Sequence, residues 1–182
     1  TTNDADFAER VRQMKTFGYV YGPITRVVTI GFNYRMSKPQ YAVGLTQLSK
    51  ADRIISARQE RMVMMDGLLR GVEEIIRPAG HGPGHGSHLY AVRLDTDKVN
   101  FSADSLQKRL KDAYQVGTVK HYSAVWSWEA FAEIDHDKSD CTLAAKACEQ
   151  IFSLPIFPDT PFEDLEYVAW AIKESVAALR TG

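Results

Sequence analysis

Cysteine is scarce in this 182-residue chain, which has only Cys141 and Cys148. Two residues seven apart on one helix are too distant to form a disulfide, which argues against a disulfide-stapled secreted domain. We interpret both as small core residues of a reducing, cytoplasmic protein. An excess of charge of one sign is also lacking, because the formal net charge is -1, so no nucleic-acid partner is expected. No apolar run approaches the length of a membrane span, so no membrane partner is expected either.

Signature motifs of several enzyme classes are missing as well. The chain contains no Walker-type phosphate loop, no G-x-G-x-x-G, no G-x-S-x-G and no H-E-x-x-H. Its histidine cluster, His81, His85 and His88, lies among glycines and prolines without a nearby carboxylate or cysteine, which favours a surface loop over a metal site. The triplet Asp135-His136-Asp137 likewise favours a solvated loop over an acid/base group. The residues by themselves therefore name no reaction.

What is present is an ordinary globular composition, 45% hydrophobic and 25% charged, in a chain long enough for a sizeable core. Apolar spacing and capping residues predict helices near residues 4–14, 37–72, 102–113, 139–151 and 160–179. The predicted caps include Asn3 or Asp4, Ser37, Ser102, and Ser139 or Asp140. The last helix is predicted to face the core with Leu165, Ala169, Ile172, Val176 and Leu179. Extended runs are predicted at residues 26–30, 89–94, 116–122 and 152–157. Steps of three, four and seven between Tyr41 and Val72 predict one long helix of about 50 Å.

This order of elements predicts an α/β fold in two parts. Residues 1–75 are predicted to be helical and extended, and residues 76–182 to form a small α/β domain with strand, helix and strand in succession. A first helix without a preceding strand is the pattern expected of an α/β chain that lacks its N-terminal part. The second predicted strand ends in Lys120-His121-Tyr122, and alternation places His121 on the face opposite its two neighbours. This spacing leaves a site and a core edge equally open.

One segment carries a specific resemblance. The residues GFNYRMSKPQYAVGLTQL, 31 to 48, run from a glycine-opened loop into a helix with a serine cap and an early proline. They resemble the G-[YF]-N-Y-R-M-[ST] loop and following helix of the DegT/DnrJ/EryC1/StrS family of pyridoxal-phosphate-dependent sugar aminotransferases. The chain departs from that pattern at Pro39 and Tyr41.

Four further stretches match the same family in the same order, so that the resemblance covers essentially the whole chain. TTNDADFAERVRQMKTFG is similar to the helix that follows the family's cofactor lysine. HGSHLYAVRL and VGTVKHY resemble two of its strands, and IFSLPIFPDTPFEDLEYVAWAI resembles its ending. The family usually has a proline after the second strand, where this chain has Ser123 to Trp128, which puts the sugar-facing side in doubt.

The resemblance implies the C-terminal half of a fold-type-I pyridoxal-phosphate-dependent transferase. Residues 1–75 would form the end of the large domain and a long connecting helix, and residues 76–182 the small α/β domain. The complete protein would transfer an amino group from glutamate or glutamine to a nucleotide-linked keto-sugar. The family's cofactor lysine precedes a G-E-G-G segment upstream of the position of Thr1, so no catalytic residue is assigned here. The chain alone is expected to be inactive and to lack pyridoxal phosphate.

The resemblance also implies roles for five residues. Asn33 would donate a hydrogen bond to the cofactor phosphate of the partner subunit, since family members are homodimers with a shared active site. Arg35 would bind the carboxylate of the amino donor or a substrate phosphate, which its planar guanidinium suits. Tyr34 would pack the loop, and His121 and Tyr122 match residues near the sugar pocket.

Three alternatives remain open at this point. A relative of the same fold dehydrates sugars and has a histidine in place of the cofactor lysine, a position outside this chain. The chain could also be a non-catalytic domain for dimerisation or regulation. The third alternative is a metal-binding module built on the histidine loop.

Overall fold

The computed structural model describes residues 2–80, 82, 84–134 and 141–181. The chain divides into two compact units, Thr1–Ala51 and Asp52–Gly182. The boundary between the compact units lies at residue 51. The reason is that Met62 and Met65, which the sequence groups with the first part, are buried in the core of the second unit.

The first unit contains two helices and a short hairpin. Helix α1 spans Ala5–Met14, strands β1 and β2 span Tyr19–Val20 and Arg26–Val27, and helix α2 spans Lys38–Leu48. Of the two predicted caps, Asp4 rather than Asn3 caps α1, because its Oδ1 accepts a hydrogen bond from the Phe7 N–H at 2.9 Å. The two strands pair antiparallel, so the run predicted at residues 26–30 forms a strand of only two residues.

Helix α2 begins where the sequence predicted and ends earlier. Ser37 and Gln40 form a capping box, in which the Ser37 N–H donates to Gln40 Oε1 at 2.7 Å. The helix stops at Leu48, and helix α3 spans Ala51–Leu68, so the prediction of one long helix is wrong. At the break the Ser49 hydroxyl donates to the Thr46 carbonyl at 2.9 Å, a local bond that competes with continued helix.

The second unit is built on a three-stranded antiparallel sheet in the order β3-β4-β5. These strands span Ile75–Ile76, Tyr90–Leu94 and Ile151–Leu154, and Val92 pairs with Phe152. Helices α4, α5 and α6 span Ala103–Tyr114, Thr142–Gln150 and Phe162–Thr181, and 3-10 turns span Val125–Ser127 and Glu129–Phe131. The prediction of a strand at residues 116–122 is wrong, because that segment forms only the single bridge from Val119 to Ser153.

The core of the second unit lies between its sheet and its helices. Tyr90, Val92 and Leu94 alternate as buried residues along β4, as expected for a strand with one buried face. The predicted apolar stripe of α6 faces the core, with Leu165, Ala169, Ile172 and Val176 buried and Leu179 half-buried against the same cluster. Ser102 caps α4, as predicted, by accepting from the Ser105 N–H at 3.1 Å.

Some predictions agree with the structure only in part, and others concern residues outside the described ranges. Cys141 and Cys148 are free thiols, as expected, but both are half-buried rather than part of the core. His81, the Asp135-His136-Asp137 triplet and the predicted helix cap at Ser139 or Asp140 lie outside the described residues. Among the described residues, no helix has both the length and the apolar character needed to cross a membrane.

Candidate functional site

In the first unit, the Asn33 to Arg35 segment is fixed by backbone hydrogen bonds to the end of α1. The Phe32 N–H donates to the Met14 carbonyl at 2.7 Å, and the Tyr34 N–H donates to the Lys15 carbonyl at 3.0 Å. In return, the Phe17 N–H donates to the Phe32 carbonyl at 3.0 Å. These bonds hold the segment as a short antiparallel pairing, so its side chains project from a defined backbone.

Two glycines allow the backbone to come this close. A Cβ on Gly31 would lie 2.2 Å from the Gly18 nitrogen, and a Cβ on Gly18 would lie 1.8 Å from the Thr29 carbonyl oxygen. Gly18 also has a φ of +77°, a conformation that residues with side chains rarely adopt. Gly31, which opens the GFNYRM segment, is therefore required by the packing of this loop.

Asn33 and Arg35 form one polar group. The Arg35 Nε–H donates to Asn33 Oδ1 at 3.1 Å, and the Arg35 guanidinium carbon lies 5.2 Å from the centroid of the Phe17 ring. Both side chains are exposed. In the part of the chain that the structure describes, no acceptor binds the Asn33 amide NH₂ or the terminal nitrogens of Arg35. The pair thus offers several free N–H donors and one full positive charge, which suits a phosphate or a carboxylate.

Tyr34 has a different neighbour. Its ring stacks on the Phe32 ring at 5.2 Å between centroids and 20° between planes. Both rings are largely exposed, since 70% of Tyr34 and 50% of Phe32 is accessible to solvent. The aromatic pair therefore adds apolar surface beside the Asn33 and Arg35 donors.

In the second unit, His121 lies on a cavity of about 190 Å³. Its Nδ1 is 2.8 Å from the Ser153 hydroxyl oxygen, and Ser153 exchanges two backbone hydrogen bonds with Val119, at 3.2 and 2.7 Å. Tyr122 packs edge-on against the His121 ring with 5.1 Å between centroids. Lys120 instead forms an ion pair with Asp104 at 3.3 Å. Of this triplet, only His121 lines that cavity.

Two residues that the sequence analysis missed line the same cavity. Arg58 of α3 is half-buried, and its Nη1 donates to the His88 carbonyl oxygen at 2.8 Å. Ser153 of β5 is 5% exposed and holds His121. Neither has a signal in the sequence, because each contacts a residue 30 or more positions away.

The predicted site residues therefore fall into two groups, each within one unit. Asn33, Tyr34 and Arg35 are brought together in the first unit, and His121 and Tyr122 in the second. Gln59 of α3 donates to the carbonyl oxygens of Gly82 and His85 and ties the glycine-rich loop to the helix. Among the residues that are described, no three metal-binding side chains cluster.

One buried polar contact stands apart from these groups. The Tyr90 hydroxyl donates to Asp66 Oδ1 at 2.5 Å, and Tyr90 is fully buried. Burial raises the pKa of the Tyr90 hydroxyl far above its ordinary value, and the hydrogen bond to Asp66 raises it further. The nearby charge of Arg77 acts in the opposite direction on this pKa. Tyr90 is therefore a neutral structural donor that joins β4 to α3.

Comparison with known families and solved structures defines the class of protein. Residues 1–173 match the DegT/DnrJ/EryC1/StrS aminotransferase family, and the chain belongs to that family. The predicted fold, that of a fold-type-I transferase, is confirmed by solved sugar aminotransferases that the chain matches over about half of their length. One of these is DesV of S. venezuelae, 26% identical with a TM-score of 0.82, where the match covers 96% of this chain and 45% of DesV.

Curated relatives give the same family. The chain is 28% identical to the UDP-4-amino-4-deoxy-L-arabinose--oxoglutarate aminotransferase of Shewanella sediminis, over 97% of this chain and 50% of that protein. It is 25% identical to the spore coat polysaccharide biosynthesis protein SpsC of Bacillus subtilis, over 97% of this chain and 48% of SpsC. The chain thus spans about half the length of the curated relatives it matches.

Proposed function

We propose that this chain serves in a pyridoxal-phosphate-dependent aminotransferase that moves an amino group from glutamate or glutamine to a nucleotide-linked keto-sugar. The observation that carries the proposal is the Asn33 and Arg35 donor group on a glycine-fixed loop. The Shewanella sediminis relative carries a UDP-linked amino sugar and oxoglutarate in its name, which supports this choice of substrates.

The donors of the first unit fit the anionic groups of the proposed cofactor and substrate. The Asn33 amide NH₂ would donate to the cofactor phosphate held by the partner subunit of a homodimer. Arg35 would orient the carboxylate of the amino donor through its terminal nitrogens, because Nε is already committed to Asn33. When bound, pyridoxal phosphate supplies the electron sink for amino-group transfer. The lysine that the family uses would come from outside this chain.

The remaining assignments belong to the same proposal. His121 and Tyr122 would contact the sugar substrate, and Tyr34 would support the loop through its contact with Phe32. Residues 1–75 would form the end of the large domain and the connection to the small domain, and residues 76–182 would form the small domain. We place the protein in the cytoplasm, and its two free thiols are consistent with a reducing compartment.

The proposal is tested on the full-length gene product. Its intact mass and its visible absorption spectrum are measured after addition of pyridoxal phosphate, followed by an assay with glutamate and a nucleotide-linked keto-sugar. A product about twice the length of this chain, with a bound-cofactor absorption band and amino-sugar formation, is the expected result. Loss of water from the sugar without amine transfer would identify the dehydratase instead. A gene product of 182 residues that binds no cofactor would support a non-catalytic domain and refute the proposal.

Arg35 provides the sharper test of residue roles. In the full-length enzyme, Arg35→Gln is expected to raise the KM for the amino donor about ten- to hundredfold, because one charge-assisted contact is lost. The matched control is Arg26→Gln, an exposed arginine of β2. Equal donor kinetics in Arg35→Gln and Arg26→Gln would show that Arg35 does not bind the donor.

A further inference from the structure

The cavity beside His121 combines apolar walls with four polar residues, Arg58, His88, His121 and Ser153. Leu89, Val119, Ile156 and Phe157 contribute apolar side chains, and Arg58 and His121 contribute nitrogen atoms. Its volume, about 190 Å³, is below the roughly 300 Å³ at which pockets for whole small molecules begin. The cavity is therefore the right size for one end of a ligand rather than for a complete one.

Arg58 supplies a permanent charge at this cavity. One of its N–H groups donates a hydrogen bond to the His88 carbonyl oxygen, and this bond holds the guanidinium in place. Within residues 2–80, 82, 84–134 and 141–181, no carboxylate pairs with Arg58 and no second acceptor binds it. A half-buried cation beside apolar walls attracts an anion more strongly than a fully solvated one does, because the local dielectric constant is lower.

Ser153 positions the His121 imidazole. Its hydroxyl contacts His121 Nδ1 at 2.8 Å, and its backbone is fixed to Val119 by two hydrogen bonds. When the Ser153 hydroxyl donates to Nδ1, the neutral imidazole carries its proton on Nε2 and presents a donor there. Nε2 has no hydrogen-bond partner in the described part of the chain. In that tautomer, Arg58 and His121 both offer donors to the same cavity.

We propose that this cavity binds a ligand end that combines a carboxylate with a short hydrocarbon stretch. The carboxylate contacts Arg58 and His121, and the hydrocarbon lies against Phe157 and Val119. Ser153 acts as a positioning residue that selects the donor tautomer of His121. The inference shares His121 with the proposed function, but it requires neither the cofactor nor the sugar.

The test uses the full-length gene product and three probes of increasing length, acetate, butyrate and hexanoate. Binding is followed by the ring nitrogen resonances of His121, which His121→Gln identifies by their loss. Affinity is expected to rise about fourfold for each methylene that the cavity buries. Inorganic phosphate is the control anion, and it is expected to bind more weakly than hexanoate. Equal affinity for acetate, hexanoate and phosphate would overturn the proposal.

Two variants separate the roles of the cavity residues. Arg58→Gln is expected to lower hexanoate affinity about ten- to hundredfold, whereas Arg53→Gln, on the same helix but outside the cavity, leaves it unchanged. Ser153→Ala is expected to shift the His121 nitrogens away from the Nε2-protonated pattern and to weaken hexanoate binding. Unchanged affinity in Arg58→Gln would refute the site, whatever the outcome of the aminotransferase assay. Unchanged nitrogen shifts in Ser153→Ala would refute the positioning role.

Discussion

The hydrogen bond from Tyr90 to Asp66 makes a quantitative prediction about stability. Tyr90 is fully buried, and its hydroxyl oxygen lies 2.5 Å from Asp66 Oδ1. Tyr90→Phe removes this donor and keeps the ring. A hydrogen bond to a charged acceptor contributes about 1.5–3 kcal/mol net, so the variant is expected to lose that much free energy of unfolding near neutral pH.

The same contact predicts a dependence on pH. The pKa of Tyr90 is raised in the folded state above the unfolded value of about 10, because burial and Asp66 disfavour the phenolate. The unfolded chain therefore releases the Tyr90 proton first, and this contribution to stability is full below about pH 10 and is lost as the pH rises further. At pH 11 the loss amounts to about 1.4 kcal/mol.

The assay is urea unfolding of the wild type and of Tyr90→Phe, followed by circular dichroism at several pH values. The free-energy difference between the two is expected to shrink by about 1.4 kcal/mol from pH 9 to pH 11. Tyr41→Phe, which removes an exposed hydroxyl, controls for the general effect of tyrosine ionisation. A difference that stays constant over this range, or a neutral-pH loss no larger than that of Tyr41→Phe, would refute the reasoning.

Local features of the sequence predicted local structure well. The caps Asp4, Ser37 and Ser102 are all found, because a cap depends on a side chain and a backbone N–H only three residues away. The prediction of one long helix was wrong for a related reason. Hydrophobic spacing continues across Ser49 and Lys50, so it does not register the local hydrogen bonds that end α2.

Non-local pairing could not be predicted in the same way. The segment at residues 116–122 has the composition of a strand, but a strand needs a partner of matching length, and only Val119 pairs with β5. The residues of the candidate sites divide in the same way, into those found from the sequence and those that it did not reveal. Asn33 and Arg35 were found because a contiguous motif carries them, whereas Arg58 and Ser153 acquire their roles only through contacts that folding brings together.

The remaining predictions concern backbone packing and helix capping. Ser102→Ala should cost about 1 kcal/mol in urea unfolding, because the Ser105 N–H loses its acceptor; an unchanged midpoint would contradict this capping role. Gly31→Ala should destabilise the first unit by more than about 2 kcal/mol, because the new methyl group would meet backbone atoms of Phe17 and Gly18 that have no room to move. Amide hydrogen exchange checks this result, since residues 5–48 should exchange faster while β4 and β5 stay protected. Gly44→Ala is the matched control, because a methyl group there meets no neighbouring atom and should stabilise α2 by about 0.5–1 kcal/mol. Equal exchange in the two variants would mean that the contact of Gly31 with Gly18 does not hold the Asn33 loop in place.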